Sequence, residues 1–170
     1  MNNTTTLRLD ELSGENFYFN GNLIVKNNIN LTGNLVIGGY YLKVSGSLTT
    51  NGFISARGFI ETDKSINAGK YIEALGFIKS GGFIKSGEWV RLSDDINPES
   101  WIKSNDNIEA DDWISSEGCI DAGGHIIAGG YIDALGYLKA NKSIKSYDYI
   151  KSGGYTKAVE GFEAMRGVSY

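Results

Sequence analysis

One cysteine, one proline and one histidine are all that the 170 residues contain of those three types. The lone Cys119 makes no internal disulfide, and one Cys with one His is too small a set for a zinc site of the usual kind. No apolar run approaches the roughly 18 to 20 residues that span a bilayer. The first ten residues carry neither a basic start nor an apolar stretch. Positive charge is not in excess either. The 16 basic and 20 acidic side chains are mixed along the chain, and a net charge of -4 offers no footprint for a phosphate backbone. These absences predict a cytoplasmic protein without a membrane span, a nucleic-acid partner or a bound cofactor. The length fits one domain that buries a core without staples.

What the chain has is glycine, 23 residues of it, and a period of six. Stepping by six from Ile24 to Ile150 visits 22 positions, of which only Asn30 is not aliphatic. Two residues after each step, from Ala56 to Ala164, 16 of 19 positions are Ala or Ser; Thr62, Leu92 and Pro98 are the exceptions. Two residues before, Gly recurs, as at Gly58, Gly76, Gly82, Gly130 and Gly136. Six is not a multiple of 3.6, so a helix would smear the Ile positions around its circumference. An extended segment instead places Gly, Ile and Ala/Ser on one face, one large residue between small ones. A single hexad buries too little to hold itself. The pattern therefore predicts an all-β, single-domain parallel β-helix, or solenoid, without setting its handedness. The unbroken step leaves no room for an inserted loop.

Charges choose the number of sides. Equivalent residues of stacked coils lie about 4.8 Å apart, so like charges at equivalent positions repel. Among the residues that follow each Ile, a spacing of 18 gives seven opposite pairs, among them Glu61/Lys79, Glu73/Arg91, Arg91/Glu109 and Lys103/Asp121, against two alike, Lys85/Lys103 and Lys139/Lys157. A spacing of 12 gives mostly like pairs, although it would align Trp89, Trp101 and Trp113. A three-sided coil of about 18 residues follows, with about seven coils over residues 23–158. Ile84, Ile102 and Ile120 are then expected to point inward on one face.

Uninterrupted hexads of this kind resemble the hexapeptide-repeat β-helices. The order Gly, x, Ile, x, Ala, seen from Gly130 to Ala134, is similar to the repeat of the bactofilin-like, polymer-forming proteins. That resemblance implies a structural protein that associates with itself. The hexapeptide acyltransferases usually place their small residue two before the aliphatic one, whereas here it lies two after.

The ends depart from the period. Residues 1–22 carry Leu7, Leu9, Leu12, Phe17 and Phe19, enough apolar area for an N-terminal cap, and residues 159–170 read as a C-terminal cap or tail. An open solenoid end presents unpaired strand edges, which invite assembly.

Aromatic residues make the strongest surface signal. From Phe53 to Tyr155 the residue before each aliphatic step is Phe, Tyr or Trp at 12 of 18 sites. At 18-residue spacing Tyr41, Phe59, Phe77, Asp95, Trp113, Tyr131 and Tyr149 share one face, and Phe83, Trp101, Cys119, Tyr137 and Tyr155 a second, with Trp89 outward as well. Such ladders suit stacking on sugars, packing against a partner, or self-association; they also stabilise a sheet by themselves. Phe83, Trp89, Trp101, Trp113, Tyr131, Tyr137, Tyr149 and Tyr155 are the candidate binding residues.

Other candidates carry less. His125, outward before Ile126, is the one base suited to acyl transfer, and sits where other hexads have a ring. Cys119 falls on the adjacent face, too far to pair with it. Asp94 over Asp112, Glu88 over Asp106 and Glu99 over Glu117 would make acidic corners, read as solvated rather than as a calcium site. No catalytic or metal-binding residue is assigned. The sequence thus points to a non-enzymatic scaffold acting through itself or a protein partner, with a glycan- or surface-binding module as the alternative and an acyltransferase relative based on His125 as a third reading.

Overall fold

The computed structural model describes residues 5–93 and 101–169. Among the described residues there are 27 short strands and no helix, hence none long and apolar enough to cross a membrane. Each strand between the first and last coils pairs in parallel with the third one before it and the third one after it. The result is three nine-stranded sheets and a solenoid of nine three-sided coils. Eight steps of about 4.8 Å make its axis roughly 38 Å long.

The inward side chains explain the period. Ile54, Ile60, Ile66, Ile72, Ile78 and Ile84 are fully buried, and the small residue two positions later, Ala, Ser or, at position 62, Thr, is buried beside each corner. Where that residue is Ser, its hydroxyl holds the corner. Ser86 Oγ sits 2.7 Å from the Lys70 carbonyl of the preceding coil and 3.0 Å from the Trp89 carbonyl, and accepts the Glu88 N–H at 3.2 Å. Ser80, Ser104 and Ser146 repeat the arrangement. A buried hydroxyl without partners would cost free energy; here it satisfies backbone groups that the turn leaves unpaired. The N-terminal coils use asparagine instead: Asn34 Oδ1 accepts the Phe53 N–H and Asn28 Oδ1 the Ser47 N–H of the next coil.

Glycine belongs to the corner rather than to the inward face. Successive corners stack so closely that a Cβ at Gly58 would collide with the Tyr40 carbonyl, and one at Gly81 with the Asp63 carbonyl.

The 18-residue coil is confirmed in register, with Ile72 beside Val90 rather than Ile84. The first coil joins the second at steps of 16, 17 and 18, and beyond it two features shift the register. Before Leu42 the inward residues are Leu23, Val25, Ile29, Leu31, Leu35 and Ile37. Ile24, Asn30 and Val36 therefore face outward, contrary to the period-six reading. Leu23 pairs with Leu42, a step of 19, because the corner Gly38-Gly39-Tyr40 holds one residue more. The second shift is larger. Ile78 pairs with Ile102, Ile84 with Ile108 and Val90 with Ile114, each a step of 24. The chain between Leu92 and Trp101 thus carries one hexad beyond the regular coil, and the expectation of an uninterrupted step fails there. Ile84, Ile102 and Ile120 all point inward, but Ile84 lies in a different sheet from the other two. Ile96, Asp94, Asp95, Pro98 and Glu99 lie outside the described residues.

The terminal segments continue the solenoid. Thr6–Leu9, Leu12–Gly14 and Phe17–Phe19 form a first coil, and Gly161–Ala164 and Gly167–Ser169 complete the ninth, so the terminal segments add two coils to the seven or so expected over residues 23–158. Six of the seven opposite-charge pairs occur as ion pairs, including Lys79–Glu61 at 2.8 Å and Lys145–Glu163 at 3.1 Å. The seventh, Arg91/Glu109, does not form. The 24-residue step sets Glu109 beside Lys85 and Arg91 beside Ser115.

Candidate functional site

The residue before each inward aliphatic enters its strand pointing outward, at the same backbone position in every coil. Stacked coils then bring these side chains into columns with the spacing of the strands. On the third sheet the column is six rings long: Phe53, Tyr71, Trp89, Trp113, Tyr131 and Tyr149. Their centroids are 4.7, 4.3, 5.0, 5.5 and 5.1 Å apart and no pair is tilted by more than 4°. On the first sheet Tyr41, Phe59, Phe77 and Trp101 stack at 5.6, 4.5 and 4.8 Å, and Tyr137 and Tyr155 at 5.0 Å. Between these two groups the rung belongs to Cys119, which pairs with Trp101.

The register corrects the expected membership of both columns. The longer step carries Phe77 on to Trp101, not to Asp95 and Trp113, and puts Trp113 on Trp89. Phe83 belongs to neither: it lies on the second sheet, 39% exposed, between the coil of Ser65 and that of Asn107. Of the named candidates, Trp89, Trp113, Tyr131 and Tyr149 come together on one face, and Trp101, Tyr137 and Tyr155 on another. Phe53, Tyr71, Tyr41, Phe59 and Phe77 complete the ladders; the recurrence of rings before the aliphatic step is the signal that finds them.

This stacking decides what the surface offers. Each internal ring has both faces covered by its neighbours, so its edge and any hydroxyl or indole N–H meet the solvent. Burial within the stack, reinforced by Glu73 beside Tyr71, by Tyr149 beside Tyr131 and by Asp121 beside Tyr137, pushes these phenols above their usual range. They remain neutral donors near neutral pH. Tyr155, 57% exposed at the top of its column, has one face uncovered.

Charged columns flank the rings. On the first sheet Lys43, Glu61, Lys79, Lys103, Asp121, Lys139 and Lys157 follow one another. Lys79 meets Lys103 without an intervening carboxylate. A cleft of about 370 Å³ opens there, lined by Lys79, Trp101, Lys103, Asp121 and Tyr137.

His125 sits in a polar column of the second sheet. Its backbone N–H donates to Asn107 Oδ1 at 2.9 Å, and its ring Nδ1 lies 2.7 Å from Ser143 Oγ. A serine beside an imidazole has the form of a nucleophile and base, but Ser143 is buried, 6% exposed. Cys119 is on the first sheet and does not approach His125. Glu88 stacks on Asp112 rather than on Asp106, again through the 24-residue step. Among the described residues no three His, Cys, Asp or Glu side chains converge as metal ligands would.

Set against models of known families, against curated proteins and against solved structures, the chain matches none.

Proposed function

We propose that the chain is a non-enzymatic structural protein that works by associating with copies of itself. The observation that carries this reading is the ninth coil. Among the described residues its three strands, Thr156–Ala158, Gly161–Ala164 and Gly167–Ser169, are each paired on one edge alone. Beside them Val159 and Met165 are 72% and 76% exposed. Unpaired N–H and C=O groups on a strand edge are a template for another strand. The first coil presents three further edges above the half-buried Leu7, Leu9, Leu12, Phe17 and Phe19. A ninth coil set on the first coil of the next copy continues all three sheets. Such a head-to-tail contact does not close, and it propagates into a filament. The resemblance of the Gly-x-Ile-x-Ala/Ser hexads to the bactofilin-like, polymer-forming proteins supports the same reading.

The ladders fit lateral contact better than sugar stacking, because the ring faces that a sugar would cover are already covered by neighbouring rings. Acyl transfer based on His125 is not favoured, since one ring nitrogen is engaged by a buried serine. Sedimentation velocity over a concentration series tests the proposal. The parent is expected to grow in size with concentration, and Phe162→Asp, which places a charge in the last coil, is expected to remain small. A parent that stays a monomer throughout would sink it.

A further inference from the structure

We propose that the break in the first-sheet ladder at Cys119 is a binding slot for a small planar aromatic molecule that carries an anionic group. The walls are two rings held from behind. Trp101 stacks on Phe77 at 4.8 Å and Tyr137 on Tyr155 at 5.0 Å, nearly parallel in both cases. Across the Cys119 rung their facing surfaces have no ring between them. Two rungs separate them, roughly 10 Å, so one flat ring seated midway lies about 5 Å from each wall. That is the spacing the ladder itself uses on either side.

The floor leaves this space open. The backbone around Cys119 matches that around Phe59: each follows a glycine, opens a four-residue strand and runs beneath another glycine, Gly136 or Gly76. Phe59 fills its rung and stacks on both neighbours. Cys119 does not, and its sulfur leans toward Gly136, where a Cβ would lie 2.6 Å from it. The rung is thus shaped for a ring and holds a thiol.

Charge sets the polarity of the occupant. The cleft has Lys79 and Lys103 at its side, directly stacked on one another. Lys79 is paired with Glu61 on the far side from the slot, at 2.8 Å. Asp121 stands closer to Lys139, at 3.3 Å, than to Lys103, at 4.0 Å. Of the two lysines of the cleft, Lys103 is therefore the one with the looser partner, and it borders the slot. The occupant's carboxylate is directed to Lys103 and not to Asp121, which stands on the slot's own rung and carries the same sign, while the ring completes the ladder. A cleft of about 370 Å³ has the size of a small-molecule site.

The proposal does not depend on self-association and is tested at protein concentrations where the chain does not grow. The probe is 2-naphthoate, followed by calorimetry, with cyclohexanecarboxylate as the non-planar anion and 2-naphthol as the uncharged ring. The parent is expected to bind one 2-naphthoate and to discriminate against cyclohexanecarboxylate. Cys119→Phe, which supplies the missing ring from the chain, is expected to lose affinity by about tenfold or more, as two stacking faces are already occupied. Cys119→Ala keeps the slot and its affinity. Lys103→Gln weakens 2-naphthoate and leaves 2-naphthol unchanged. Circular dichroism checks each fold. Should Cys119→Phe not fold, Tyr137→Ser removes one wall and is expected to lose binding in its place. The proposal is overturned by a parent that does not bind 2-naphthoate at millimolar concentration, by a folded Cys119→Phe or Tyr137→Ser that binds as the parent does, or by equal binding of the two carboxylates. Altered sedimentation of Cys119→Phe with unchanged naphthoate binding likewise overturns it and assigns the gap to association.

Discussion

Truncating Ile102 to Ala tests how the solenoid is held together. The side chain is 0% exposed and stands in an inward column between Ile78 and Ile120. Three carbons leave the core, which at about 0.8 kcal/mol each removes about 2.4 kcal/mol of transfer free energy. A cavity adds to that according to how far the surroundings collapse. Here they collapse little, since Ile78 and Ile120 are fixed to a backbone whose rung spacing is set by the sheet hydrogen bonds. The expected loss is about 2.5 to 4.5 kcal/mol. Urea unfolding followed by far-ultraviolet circular dichroism and by tryptophan fluorescence measures it, with coincident transitions required from the two probes. A loss well below about 2 kcal/mol would refute the reasoning, because it would mean that coils slide together to close the cavity and that the column does not set the packing.

The frame of the N-terminal coils is tested by neighbouring residues: Leu23→Ala is expected to cost about 2 to 5 kcal/mol, and Ile24→Ala, on the outward side, less than about 1 kcal/mol. The reverse order in urea midpoints would restore the period-six frame there. Acid sensitivity is expected at Glu61, where the hydrogen bond from Lys79 holds the carboxyl below its usual range against the opposing effect of burial. A depressed folded-state value contributes stability above the ordinary glutamate value of 4.5, and that contribution disappears as pH falls through the lower folded-state value. Glu61→Gln should therefore flatten the fall in urea midpoint across that acid range, and parallel curves for the two proteins would contradict the assignment.

The sequence by itself determined the architecture, because the core of a solenoid is written locally. Each hexad repeats one inward aliphatic and one small residue, and six of the seven charge pairs that chose a three-sided coil exist as ion pairs. The shift before Leu42 left a trace, since Asn30 broke an otherwise aliphatic series. Neighbouring apolar residues such as Leu23-Ile24 and Leu35-Val36-Ile37 fit two phases of a period of two, and packing selected the other one.

The extra hexad between Leu92 and Trp101 left a local trace, Leu92 and Pro98 in place of the small residue, which marks Arg91 to Ser100 as the likeliest distorted corner, but none in the aliphatic period. Adding six residues to one step preserves the phase of a period-six pattern, so the aliphatics from Ile102 to Ile150 still point inward while each later strand moves to a different sheet. That displacement joins Trp89 to Trp113, sets Trp101 over Phe77, isolates Phe83 and brings Lys79 against Lys103. Inward and outward are local properties of a strand, whereas the partner above and below is a property of stacked coils. The tertiary structure alone therefore decided which rings form the ladders and where Cys119 interrupts them.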